Sequence, residues 1–166
     1  MSESEAIDII IKAFKKGRKV LICGNGGSAS QSDHFAGEFL CKYKIDREPL
    51  PAISLTNPAV VTAIGNDYGF GHVFSRQVRA LGKKGDVLIA LSTSGRSENV
   101  LNAIKEAKEK GMVVLDFSKY SKNDEEQGKD TGFTQSDHVY LMHHICDKVE
   151  NYFAHGSKNY TNWSKR

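Results

Sequence analysis

The chain is predicted to fold as an α/β protein, a three-layer αβα sandwich around a central parallel sheet. Three features carry that prediction. Short apolar runs alternate with longer stretches of helical spacing along most of the sequence, the pattern of βαβ units. The short runs are apolar throughout, as expected of strands covered on both faces. Two of them end in glycine- and serine-rich loops that lead at once into a helix, where parallel sheets place their ligands.

Each element follows from local pattern. Ile7, Ile10, Ile11 and Phe14 fall at i, i+3, i+4 and i+7 and predict a helix from about Glu3 to Lys16, closed by two basic residues. "RKVLIC" (18–23) is a strand ended by Gly24, and "SASQSDHFAGEFLCKY" (28–43) is a helix opened by Ser28. "LPAISLT" (50–56) is the second strand, and "PAVVTAIGND" (58–67) is a helix with Pro58 in its tolerant first turn. "HVFSRQVRALG" (72–82) has helical spacing and a glycine stop. "GDVLIALS" (85–92) is the third strand, "SENVLNAIKEAKEKG" (97–111) a helix, and "MVVLDFS" (112–118) the fourth strand. The polar stretch 118–132 reads as a mobile loop, and a last helix is expected over Thr134–Tyr152.

The length of 166 residues suits one domain that buries roughly two-thirds of its unfolded surface. Residues 1–153 are read as that domain, and 154–166 as a tail without periodicity, expected to be disordered. A net charge of +3 does not argue for nucleic acid, and the lysines look scattered over solvated faces. The three cysteines, Cys23, Cys41 and Cys146, show no metal or CxxC spacing and read as small buried hydrophobes. The start "MSESEAIDIIIKAF" does not have the pattern of a signal peptide, and no apolar run reaches membrane-spanning length. Expectation is therefore a cytoplasmic protein with neither membrane nor nucleic acid as partner.

The loop "GNGGSAS" (24–30) matches G-x-G-x-x-A through Gly24, Gly26 and Ala29, a weak dinucleotide signal on its own. The next strand ends "SLTNP" without the acid that ribose hydroxyls need, so no nucleotide cofactor is expected. The loop "STSGRS" (92–97) brings Ser92, Thr93, Ser94 and Ser97 to a helix N-terminus, where hydroxyls, backbone N–H groups and the helix dipole converge on an anion. One serine would serve as a cap, whereas four hydroxyls in six residues favour a phosphate. His34 and Glu38 lie four apart on one helix face, a spacing that suits either a metal ion or a carboxylate base. Gln135, His138, His143 and His144 crowd the last helix. Gln135 and His143 share a face, and the adjacent pair His143 and His144 must diverge.

Taken together, "CGNGGSASQSDHFAGEF", "NDYGFGHVFSRQV", "GDVLIALSTSGRSENVLNAIKEAKEKGM" and "QSDHVYLMHHICDKVE" resemble the sugar isomerase (SIS) domain family, and within it the phosphoheptose isomerase branch. The resemblance implies a SIS-type, flavodoxin-like sandwich and a homotetramer. It further implies an aldose–ketose isomerase that converts sedoheptulose 7-phosphate to D-glycero-D-manno-heptose 7-phosphate through an enediolate. That reaction opens the route to nucleotide-activated heptoses for lipopolysaccharide or capsule. By position, Glu38 would be the base and His143 the partner acid/base. Ser92, Thr93, Ser94 and Ser97 would hold the phosphate, and Asn25, Gly26, Gly27, Ser28, Asn66, Asp67 and Gln135 would line the sugar. Zinc, where the family binds it, would sit on His34, Glu38, Gln135 and His143. A last helix aligned one residue differently would exchange His144 for His143. The segment between Phe117 and Gln135 is short for the family's last strand. The alternative is a non-catalytic SIS module that binds a phosphosugar or a protein, a branch in which the last-helix histidine is typically lost.

Overall fold

The computed structural model describes residues 2–120 and 130–156. In order, the elements are α1 (Glu3–Lys15), β1 (Val20–Gly24), α2 (Gly27–Leu40), β2 (Ala52–Ser54), α3 (Pro58–Tyr68), α4 (Ser75–Leu81), β3 (Val87–Leu91), α5 (Glu98–Glu109), β4 (Val113–Asp116) and α6 (Thr131–Gly156), with short 3₁₀ turns at Phe70–His72 and Phe117–Lys119. All four strands pair in parallel, in the order β2-β1-β3-β4. Strand order reverses between β1 and β3, so the switch point lies where those two strands end.

Alternation along the strands feeds two cores. Val20, Ile22, Val87 and Ile89 face a cluster built with Ile10 and Phe14 of α1, Phe35 and Phe39 of α2, and Leu141, Met142 and Ile145 of α6. Leu21, Cys23, Leu88 and Ala90 face the opposite cluster, with Val78 of α4 and Val100 and Ala103 of α5. This is the three-layer sandwich expected from the sequence. Every residue of β1 and β3 is buried, which explains why those runs read as uniformly apolar.

Several boundaries move for identifiable reasons. The last helix starts at Thr131, three residues early, because Asp130 accepts hydrogen bonds from the N–H groups of Gly132 and Phe133 (2.6 and 3.3 Å) and serves as its cap. It then runs to Gly156, four residues past the expected end at Tyr152 and three into the expected tail. Residues 121–129 of the expected loop and 157–166 of the expected tail lie outside the described residues. Residues 72–74 begin in a 3₁₀ turn rather than a helix. Cys41 corrects the reading of all three cysteines as buried. It caps the end of α2 and is exposed, whereas Cys23 and Cys146 are buried. Burial pushes the Cys23 thiol up to about 12, so it stays protonated and acts as packing.

His138 secures α6 to the sheet. It is buried and donates from Nε2 to the carbonyl of Phe117 at 2.9 Å. Burial pushes its pKa below the ordinary 6.5, outweighing the carbonyl bond and nearby Asp137. The unfolded chain therefore binds this proton more readily, and stability falls as pH drops below about 6.5. We expect the Tm of the wild type to decline between pH 7 and pH 5.5 and that decline to flatten in His138→Gln, measured by thermal melts across the range.

Candidate active site

The two loops identified in the sequence open off β1 and β3, on either side of the switch point. In the first, Gly26 adopts φ +55°, a left-handed conformation that favours glycine. Gly27, the first residue of α2, leaves room for a neighbour: a Cβ there would overlap the side-chain amide of Gln135. The α2 N-terminus has no side-chain cap. Ser28 is buried behind it, its N–H donating to the carbonyl of Asn25 at 2.9 Å.

In the second loop the serine hydroxyls organise the backbone. Ser92 Oγ accepts from the Gly95 N–H at 3.0 Å, and Ser94 Oγ accepts from the Arg96 N–H at 3.2 Å. Each hydroxyl keeps its own proton to donate. Ser97 occupies the N-cap position of α5, yet its side chain makes no capping bond. Ser97 Oγ is therefore not used as a cap. Thr93 is half-buried between them.

A chain of contacts joins these loops to the last helix. Asn25 and Asn99 exchange side-chain hydrogen bonds of 2.8 and 2.9 Å, tying the first loop to the first turn of α5. From the other side, Gln31 Nε2 donates to the Gln135 carbonyl at 2.9 Å, while the Gln135 side chain covers Gly27. Asn99 was not among the expected site residues. Its signal is positional, because it falls with Val100, Ala103 and Ala107 on the buried face of α5, where a polar residue needs a partner. Asn99→Ala leaves the Asn25 amide unsatisfied, a loss of about 1.4 kcal/mol or tenfold. We expect substrate KM to rise about tenfold with a smaller change in kcat, read from steady-state kinetics.

Two turns along α6, His143 meets α2. His34, Glu38 and His143 each bring one ligand atom within 4.8 Å of the others. His34 Nε2 and Glu38 Oε1 are hydrogen-bonded at 2.8 Å, and the His34 and His143 rings meet edge to face at 5.2 Å. Two imidazoles and a carboxylate are a donor set that suits zinc, and small side-chain rotations would bring them to ligand distance. Among the expected ligands Gln135 differs, its amide lying against Gly27. Tyr43, another residue the sequence did not mark, also stacks on His143, at 5.2 Å and 20°. It comes from the segment after α2, which the buried Glu150 of α6 grips through the N–H groups of Tyr43, Lys44 and Ile45 (2.6, 2.6 and 2.5 Å). His144 points elsewhere, 3.6 Å from Glu3 and stacked on Tyr140. His143 is therefore the histidine that faces Glu38.

Asn66 and Asp67 are the expected residues that this cluster does not include. Asn66 Nδ2 donates to Asp67 Oδ1 at 2.8 Å on the exposed face of α3, and among the described residues no hydrogen bond joins either to the two loops.

A parallel sheet with hydroxyl-rich loops at its switch point, and a carboxylate facing an imidazole across two helices, marks the class of α/β proteins that handle small phosphorylated substrates. Within that class, the family model described as SIS domain matches residues 4–118. The chain belongs to the SIS domain family. Its relatives include the phosphoheptose isomerase of Clostridium acetobutylicum, 47% identical over 87% of this chain and 79% of that protein. That of Campylobacter concisus is 47% identical over 89% and 84%. The structure is similar to phosphoheptose isomerases from Neisseria gonorrhoeae (TM-score 0.78, 36% identity) and Francisella tularensis (TM-score 0.82, 34% identity), each match covering 90% of this chain and 85% of the other.

Proposed function

We propose that this chain is a phosphoheptose isomerase that interconverts sedoheptulose 7-phosphate and D-glycero-D-manno-heptose 7-phosphate. The observation that carries the reading is Glu38 facing His143 across α2 and α6, in a chain whose relatives are phosphoheptose isomerases. The free hydroxyl protons of Ser92, Ser94 and Ser97, with Thr93 and the α5 N-terminus, hold the phosphate. Asn25, Gly26, Gly27, Ser28 and Gln135 line the sugar. Glu38 moves a proton between C1 and C2, and His143 exchanges protons with the oxygens as the enediolate forms and collapses. His34, Glu38 and His143, with Gln135 swung toward them, would hold a zinc ion, which when bound supplies a fixed positive charge and Lewis-acid polarisation of the carbonyl.

The working unit in this reading is a homotetramer. Helix α3 has no buried residue, and Val60, Tyr68 and Phe70 on and beside it are 38%, 53% and 60% exposed. A neighbouring subunit covering that face would bring Asn66 and Asp67 to a site. In this reading the protein works in the cytoplasm, and its product feeds nucleotide-activated heptose synthesis.

The test is turnover of sedoheptulose 7-phosphate by wild type, His143→Ala and His144→Ala. Expected are an active wild type, a loss of a hundredfold or more in His143→Ala, and His144→Ala within a few-fold of wild type. Binding without turnover in the wild type would sink the isomerase and leave a non-catalytic phosphosugar module.

A further inference from the structure

At the amino ends of the strands, opposite the two loops, lies a cavity of about 660 Å³. Lys12, Lys16, Arg18, Lys83 and Lys84 line it. In sequence these five cations are spread over more than seventy positions and read as solvated surface; the fold gathers them at one opening. None has an ion-pair partner among the described residues. The acid beside them, Asp86, is already taken: Lys19 Nζ lies 2.5 Å from its carboxylate, and the N–H groups of Lys19 and Lys83 donate to it. Burial raises the Asp86 pKa, but those bonds outweigh burial and hold it below the usual value. It stays ionised and paired.

The remaining wall is aliphatic, from Ile9, Ala13, Val87 and Val113. Val113 opens β4 and is 40% exposed. Arg18 lies over Gly85, where a Cβ would sit 3.4 Å from its Nε, so the guanidinium is seated on backbone. The volume falls in the range of small-molecule sites. A second copy presenting the same face across a two-fold axis would set one cation ring against another. Inorganic phosphate alone would leave the aliphatic wall unused.

We propose that this cavity is a second ligand site, one that takes a nucleoside polyphosphate. The base lies on the aliphatic wall, and the phosphates meet the lysines and the forked guanidinium of Arg18. It lies apart from the proposed catalytic residues and does not depend on their assignment.

A ribose-labelled fluorescent ATP titrated into the full chain tests it. Saturable binding is expected, with the dissociation constant raised at least tenfold in Lys16→Glu/Lys84→Glu. Tripolyphosphate should compete at least tenfold less well than ATP, and Ile9→Gln should weaken ATP while leaving tripolyphosphate unchanged. Saturating sedoheptulose 7-phosphate should not displace the nucleotide. Absent binding, an unaltered constant in the double variant, equal competition by tripolyphosphate, or displacement by the sugar phosphate would each overturn the proposal. The last would move the nucleotide to the serine loop.

Discussion

Glu38→Gln is expected to lower kcat for sedoheptulose 7-phosphate by about a hundred- to ten-thousand-fold, with KM changed far less. The substitution keeps the shape and one hydrogen-bonding oxygen, so the contact with His34, 2.8 Å in the wild type, can persist. What it removes is the capacity to accept a proton from carbon. The fold should tolerate it. The Glu38 side chain sits at the rim of the cluster, 17% exposed, and the end of α2 is held independently. There Arg47 donates to the carbonyls of Glu38 and Phe39 at 2.7 and 2.8 Å. Calorimetric titration with the sugar phosphate should find binding retained. Activity within a few-fold of wild type would place the base elsewhere.

The second large effect is on stability. Glu150→Ala is expected to cost about 3–5 kcal/mol, or roughly 10–15 °C in Tm for a chain of this size. The carboxylate is 1% exposed and receives three backbone N–H groups. It also lies 3.6 Å from Arg47, itself 3% exposed. Burial pulls the Arg47 pKa below its usual value and the charge of Glu150 opposes that pull. Without Glu150 an unpaired guanidinium and three unmet donors remain buried. Arg47→Met added to Glu150→Ala should recover part of the loss, because the stranded charge goes with it. Chemical denaturation of the two singles and the double measures this coupling. Activity should fall as well, since Glu150 holds the backbone that carries Tyr43 against His143.

What could be read from the sequence was what is periodic or local. The four strands announced themselves as apolar runs, and His34 with Glu38 as a pair four apart on one helix. The serine loop was legible because its chemistry is contiguous. The pairings that complete the site cross the chain: Asn25 reaches Asn99, and Tyr43 reaches Glu150 and His143. Spacing along one element cannot supply such partners. The early start of α6 escaped because Gly132, a poor helix former, masks the cap that Asp130 provides. Cys41 was misjudged because composition alone does not say where a helix stops and its last turn meets solvent.

The strand order has a consequence for how the molecule breathes. β1 and β3 are the interior strands, paired on both edges, and their amides can exchange with solvent only when the sheet itself opens. The two loops start where those strands end. The two loops are thus anchored to the interior strands, while β2 and β4 at the margins can fray without disturbing the distance between them. The frame that fixes the separation of the two loops opens only when the sheet does.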